Sequence, residues 1–169
     1  MTVLPRKDAA SRRPVLIIGV GNEFRGDDGA GLVVSRRLGA LGLEGVRIRE
    51  VEGEGTAAMA AWKGADAVIL VDAVYSGAEP GTVHRLEAHA GPLPVSFFHR
   101  STHAISVADA IELARSLGEL PPHFVVYGIE GKSFEAGTGL SPEVEAAVQE
   151  VVEAVLGELR GMGVSASGG

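Results

Sequence analysis

The chain has 169 residues, 46% of them hydrophobic, which suits one sizeable core and leaves too little length for two. A net charge of −7 and an isoelectric point near 5.2 argue against nucleic acid or an anionic membrane as the main partner. Without cysteine there is neither a disulfide framework nor a thiolate metal site, so any metal must be held by carboxylate and imidazole, and any peptidase nucleophile is not a thiol.

Residues 1–13 carry Arg6, Lys7, Arg12 and Arg13 but no long apolar core; they read as a flexible tail rather than a secretory signal. No stretch approaches the roughly 20 apolar residues of a membrane span. A cytoplasmic protein acting as a monomer is expected, with one α/β domain over 14–160 and a second flexible, Gly/Ser-rich tail over 161–169.

Val15-Leu16-Ile17-Ile18 reads as a buried parallel strand, since consecutive β-branched and aliphatic residues suit a strand covered on both faces. Gly19 and Gly21 then permit a tight turn or a close approach. A dinucleotide fingerprint fails here, because Phe24 stands where the third glycine belongs and Asp27 and Asp28 would repel a pyrophosphate. From Asp28 to Leu41, Leu32, Val33, Val34, Leu38 and Leu41 oppose Arg36 and Arg37 at helical spacing. Val46 to Val51 alternates apolar and charged residues, as a strand near a sheet edge does.

A turn at 52–56 leads to a short helix over Ala57–Trp62. Ala67–Val74 is a second central strand, and Asp72 sits inside its apolar run, where an uncompensated carboxylate costs several kcal/mol or is forced to protonate. The short turn at 76–80 suggests that a strand over Gly81–Leu86 pairs antiparallel with the strand before it. Ser101 or Thr102 should cap a helix running to Leu117, with Ile105, Ala108, Ile111 and Leu117 on its buried side. A fifth strand follows at His123–Ile129. Ser141-Pro142-Glu143 is a strong start for the last helix, whose Val144, Val148, Val151, Val155 and Leu159 mark the docking face. The alternation gives a three-layer α/β sandwich with a mainly parallel twisted sheet of about five strands and helices on both faces.

Gly19-x-Gly21-Asn22 followed by Asp27-Asp28-Gly29-x-Gly31 resembles the opening signature of the nickel hydrogenase maturation endopeptidases. The resemblance continues in order through Gly55-Thr56-Ala57, Val71-Asp72-Ala73 and Ser101-Thr102-His103, and so covers nearly all of the chain after residue 14. Glu54 interrupts the pair of glycines that family members often carry before the threonine. The resemblance implies one antiparallel strand, for which 81–86 is the natural candidate. It also implies that Asp28, Asp72 and His103 are the catalytic and metal-contacting residues. The implied activity is removal of the C-terminal extension of a nickel hydrogenase large-subunit precursor after nickel insertion, the nickel being contributed by that substrate.

The residues alone leave other roles open. Asp27 or Asp28 would cap the following helix, Asp72 would accept a turn amide, and His103 would be structural. Two carboxylates and an imidazole suit nickel or zinc better than calcium. They are equally compatible with a sensor of the substrate's metal, with a metal that activates water, or with Asp28 and Asp72 as acid and base. A non-catalytic nickel-delivery or scaffold protein is the alternative from another class. Asn22 and the backbone of Gly19–Gly21 are candidates for positioning a peptide, the simpler reading being an Asx turn. His84, His89, His99 and His123 fall outside the expected site.

Overall fold

The computed structural model describes residues 14–52, 55–94 and 105–164. Its strands are β1 (Val15–Val20), β2 (Val46–Val51), β3 (Ala67–Val74), β4 (Val83–Glu87) and β5 (His123–Glu130), and its helices are α1 (Ala30–Gly39), α2 (Gly55–Trp62), α3 (Val107–Ser116) and α4 (Pro142–Gly161). The sheet order is β2-β1-β3-β5-β4. All pairs are parallel except β4 with β5.

The burial of each strand follows its place in that order. Every residue of β1 is buried, and β3 and β5 are buried from their second residue onward. They read as continuous apolar runs because helices cover both faces. The edge strand β2 keeps its alternation and exposes Arg47 and Arg49. One core packs α2 and α3 on the face carrying Leu16, Ile18, Leu70 and Val126, where Trp62 meets Phe124 edge to face at 5.0 Å. The other packs α1 and α4 on the face carrying Ile17, Ile69, Val71 and Val125.

Three expectations need correction. The antiparallel strand is the one expected, but it pairs with β5 and not with its sequence neighbour β3, because β1 and β5 already occupy both sides of β3. The first helix does not start at Asp28: residues Gly26–Gly29 form a 3-10 turn and α1 begins at Ala30, ending at Gly39 so that Leu41 is exposed. The third helix starts at Val107, where Ser106 and Asp109 form a reciprocal capping box. The expected caps Ser101 and Thr102 lie outside the described residues, and Leu117, beyond the helix end, is exposed. At the other end of the chain α4 runs to Gly161, and Met162 and Val164 pack against the α1/α4 core.

The glycines of the opening motif set how closely α1 lies on the sheet. A Cβ on Gly31 would stand 2.3 Å from the Val71 carbonyl oxygen and 2.5 Å from that of Val20. A Cβ on Gly21, whose φ is +152°, would stand 1.9 Å from the Asp28 carbonyl oxygen. The first contact brings α1 against β1 and β3 together; the second folds the 22–28 loop back over the end of β1.

Candidate active site

From β1 the chain passes through α1 to β2 on one side, and from β2 through α2 to β3 on the other. The crevice between the carboxyl ends of β1 and β3 is therefore the point where the winding reverses, the usual place for a ligand in such sheets. Asp28 stands there in the 3-10 turn after β1, and Asp72 near the end of β3, against which that turn packs.

Burial dominates the electrostatics of this pair. Asp72 is only 8% exposed. Desolvation, reinforced by the charge of Asp28, pushes its carboxyl well above the ordinary 3.8, and the Ala73 amide offsets this only in part. Asp28 is likewise raised by desolvation, against the Asn22 amide at 2.9 Å from its Oδ2 and the nearby Arg25 charge. The charge of one carboxylate thus disfavours ionisation of the more buried one. The two also present the charge that a divalent cation would neutralise.

Neighbouring Asp27 has a different fate. It is 1% exposed. Its carboxylate accepts hydrogen bonds from the amides of Lys132, Ser133 and Ser141 at 2.8, 3.0 and 2.7 Å, and from the Ser141 hydroxyl at 2.9 Å. Burial alone would raise its carboxyl, but these bonds outweigh it and hold the group below 3.8. The helix-cap reading of Asp27 is thus corrected in place rather than in kind. It makes no cap bond to its own turn and instead braces the start of α4, where the Ser141 hydroxyl is turned to Asp27 instead of capping α4 itself. Backbone pairs between Gly26 and Gly137 and between Gly137 and Phe24, each 2.9 Å, complete the clamp on the Asp28 loop.

Asn22 makes the Asx turn, its Oδ1 accepting the Phe24 amide at 2.9 Å. Phe24, in the same loop, is 65% exposed. His103 and His99 lie outside the described residues, so Asp28 and Asp72 are the two members of the expected trio whose geometry is defined. Among the described residues no group of three His, Cys, Asp or Glu side chains is gathered to hold a metal ion.

Sequence reasoning missed Glu130, which is 1% exposed at the end of β5. Its carboxylate accepts the amides of Ser76 and Ala78 at 2.7 and 3.1 Å, bonds the Ser76 hydroxyl and lies 3.5 Å from His84 Nε2. It thereby fixes the turn that follows Asp72. The signal was present, since Glu130 closes the apolar run FVVYGIE as Asp72 interrupts AVILVDAV. Gly128 lies between Asp72 and His84 in the sheet register, leaving no side chain beside Asp72 on that side.

A family profile described as hydrogenase maturation protease (HycI) matches residues 51–158. The hydrogenase 2 maturation protease of Escherichia coli strain K12 is 31% identical over 157 residues, covering 90% of this chain and 94% of that protein. Among solved structures, the hydrogenase maturating endopeptidase HybD of E. coli superposes with a TM-score of 0.75 at 28% identity, covering 90% of this chain and 95% of that one. The NiFe hydrogenase maturation protease HybD of Thermococcus kodakarensis does so with a TM-score of 0.65 at 30% identity, covering 84% and 96%.

Proposed function

The chain belongs to the hydrogenase maturation protease family, and from that premise we propose that it removes the C-terminal extension of a nickel hydrogenase large-subunit precursor once nickel is in place. Nickel in this reading is part of the substrate. Asp28 and Asp72 meet it at the crevice between β1 and β3, with His103 as the third contact. The observation that supports this is the carboxylate pair itself. Two desolvated acids from separate segments, Asp72 raised further by the charge of Asp28, form a poor resting site and a good receiver for a cation carried in on a partner. Recognition then depends on the metal, and cleavage waits for it. The Asx turn at Asn22 and the Asp27 clamp hold the Asp28 loop in place before the precursor arrives.

The raised carboxyls favour a second reading of the same pair. With the carboxyl of Asp72 raised further than that of Asp28, one protonated and one ionised acid would act as acid and base on the scissile amide, whether or not the precursor's nickel is also sensed.

Mass spectrometry of a large-subunit precursor, nickel-loaded and nickel-free, after incubation with the protein tests both. Loss of a defined C-terminal peptide from the loaded form alone is the expected result. Cleavage of both forms would overturn sensing and leave the acid-base reading, and binding without cleavage would overturn both.

A further inference from the structure

At the end of the sheet opposite the carboxylates, a pocket of about 270 Å³ opens between the edge strand β2 and the end of α2. Its walls combine Pro14, Leu16, Ala61 and Ala65 with the cations Arg47, Arg49 and Lys63. Leu16 lies in the first half of β1 while the Asp28 loop follows its end, so most of the strand's length, roughly 15 Å, separates the two sites.

The positive character follows from register. Arg47 and Arg49 pair with Leu16 and Ile18 and so share the α2 face, spaced about 7 Å apart. The acid of the same strand, Glu50, pairs with Gly19 on the opposite face, where Arg36 holds it at 2.7 Å. Several other arginines of the described structure are matched: Arg37 with Glu145, Arg85 with Glu87 and Glu158, Arg115 with Glu112. Among the described residues Arg47, Arg49 and Lys63 have no such partner. At the end of α2 the Trp62 oxygen accepts the Ala65 amide at 2.9 Å, which satisfies one of the helix's terminal carbonyls.

An unpaired cation trio around an apolar floor, on a protein of net charge −7, is a local reversal of the overall field. We infer that this pocket binds a compact organic or inorganic anion of charge −2 or −3, whose phosphate or clustered carboxylate oxygens meet the Arg47 and Arg49 forks and Lys63 over the floor made by Leu16, Ala61 and Ala65. Guanidinium forks suit both oxyanions, and the pocket's size admits a small ligand rather than a folded partner. This site is independent of the proteolytic reading and stands or falls without it.

The test is an amide NMR titration of the full chain with pyrophosphate and, separately, with citrate, at constant ionic strength set by sodium chloride. Saturable shifts at Leu16, Ala61, Lys63 and Ala65 are expected with at least one probe, and the two arms tell phosphate from carboxylate preference. In the Arg47→Gln/Arg49→Gln double variant, both substitutions being at exposed positions, affinity should fall by about tenfold or more; Lys63→Gln should weaken it less. Arg37→Gln, remote and paired with Glu145, should leave it unchanged. Shifts that grow linearly without saturating, or affinity retained in the double variant, would overturn the site. So would binding of a hexaglutamate peptide where neither small anion binds, since the surface would then serve an acidic chain.

Discussion

Asp27 and Asp28 are adjacent in sequence and opposite in physics. Asp27 is a buried carboxylate with four donors, held below its ordinary value and serving as a structural joint between the first loop and α4. Asp28, with Asp72 across the crevice, is desolvated without comparable compensation and raised. Buried charge is tolerable when hydrogen bonds replace the lost water, and where they do not, the fold carries a cost that only a ligand or a proton relieves. The difference separates a residue that holds the site from residues that would act in it.

The largest effect expected is on processing. Asp28→Asn and Asp72→Asn should each slow cleavage of the precursor by about a hundredfold to ten-thousandfold, read as the rate of loss of the C-terminal peptide, while the fold remains. Normal cleavage by either variant would remove that residue from the reaction.

Stability should move the other way for the two kinds of acid. Asp27→Ala strands the buried amides of Lys132, Ser133 and Ser141 and should cost about 3 kcal/mol in urea unfolding. Asp72→Asn removes a desolvated charge facing Asp28 and should raise the melting temperature at neutral pH by a few degrees. A destabilised Asp72→Asn protein would mean that the pair is compensated after all.

The pH dependence sharpens this contrast through its sign. Because the folded-state carboxyl of Asp72 is raised above 3.8, its contribution to stability is fully present below that value and is lost as pH rises through the raised one. The advantage of Asp72→Asn should therefore vanish below pH 3.8 and grow on the way to neutrality. For Asp27, lowered below 3.8, the contribution is present above that value and lost as pH falls through the depressed one. The deficit of Asp27→Asn should accordingly be fully developed at neutral pH and shrink in acid below 3.8. Unfolding curves at pH 3, 5 and 7 would show parallel trends if the two acids were alike.

The smallest effect belongs to Ser141→Ala, which removes one of the four bonds to Asp27 and leaves the Ser141 amide in place. It should cost about 1 kcal/mol. A loss equal to that of Asp27→Ala would shift the weight of the joint onto the hydroxyl.

Much of this arrangement was legible in the chain. Runs such as VLIIGV and AVILVDAV mark strands covered on both faces, VRIREV marks an edge, and Asp72 stands out because a carboxylate inside an apolar run demands an explanation. The spacing of glycines and acids from Gly19 to Gly31 pointed to the family and to Asp28, as the comparisons with known proteases bear out for the family itself. What local sequence could not carry were relations between distant segments. The partner of β4 depended on which flanks of β3 were already taken. Asp27 became a joint only because residues 105 to 114 positions away supplied its donors, and Glu130 likewise found its turn 52 to 54 positions away. The positive pocket exists because strand register turns Arg47 and Arg49 to one face and Glu50 to the other. Periodicity and composition are properties of neighbours along the chain, so they determine elements and their faces; hydrogen-bond satisfaction and charge balance are properties of neighbours in space, and the tertiary structure decides them.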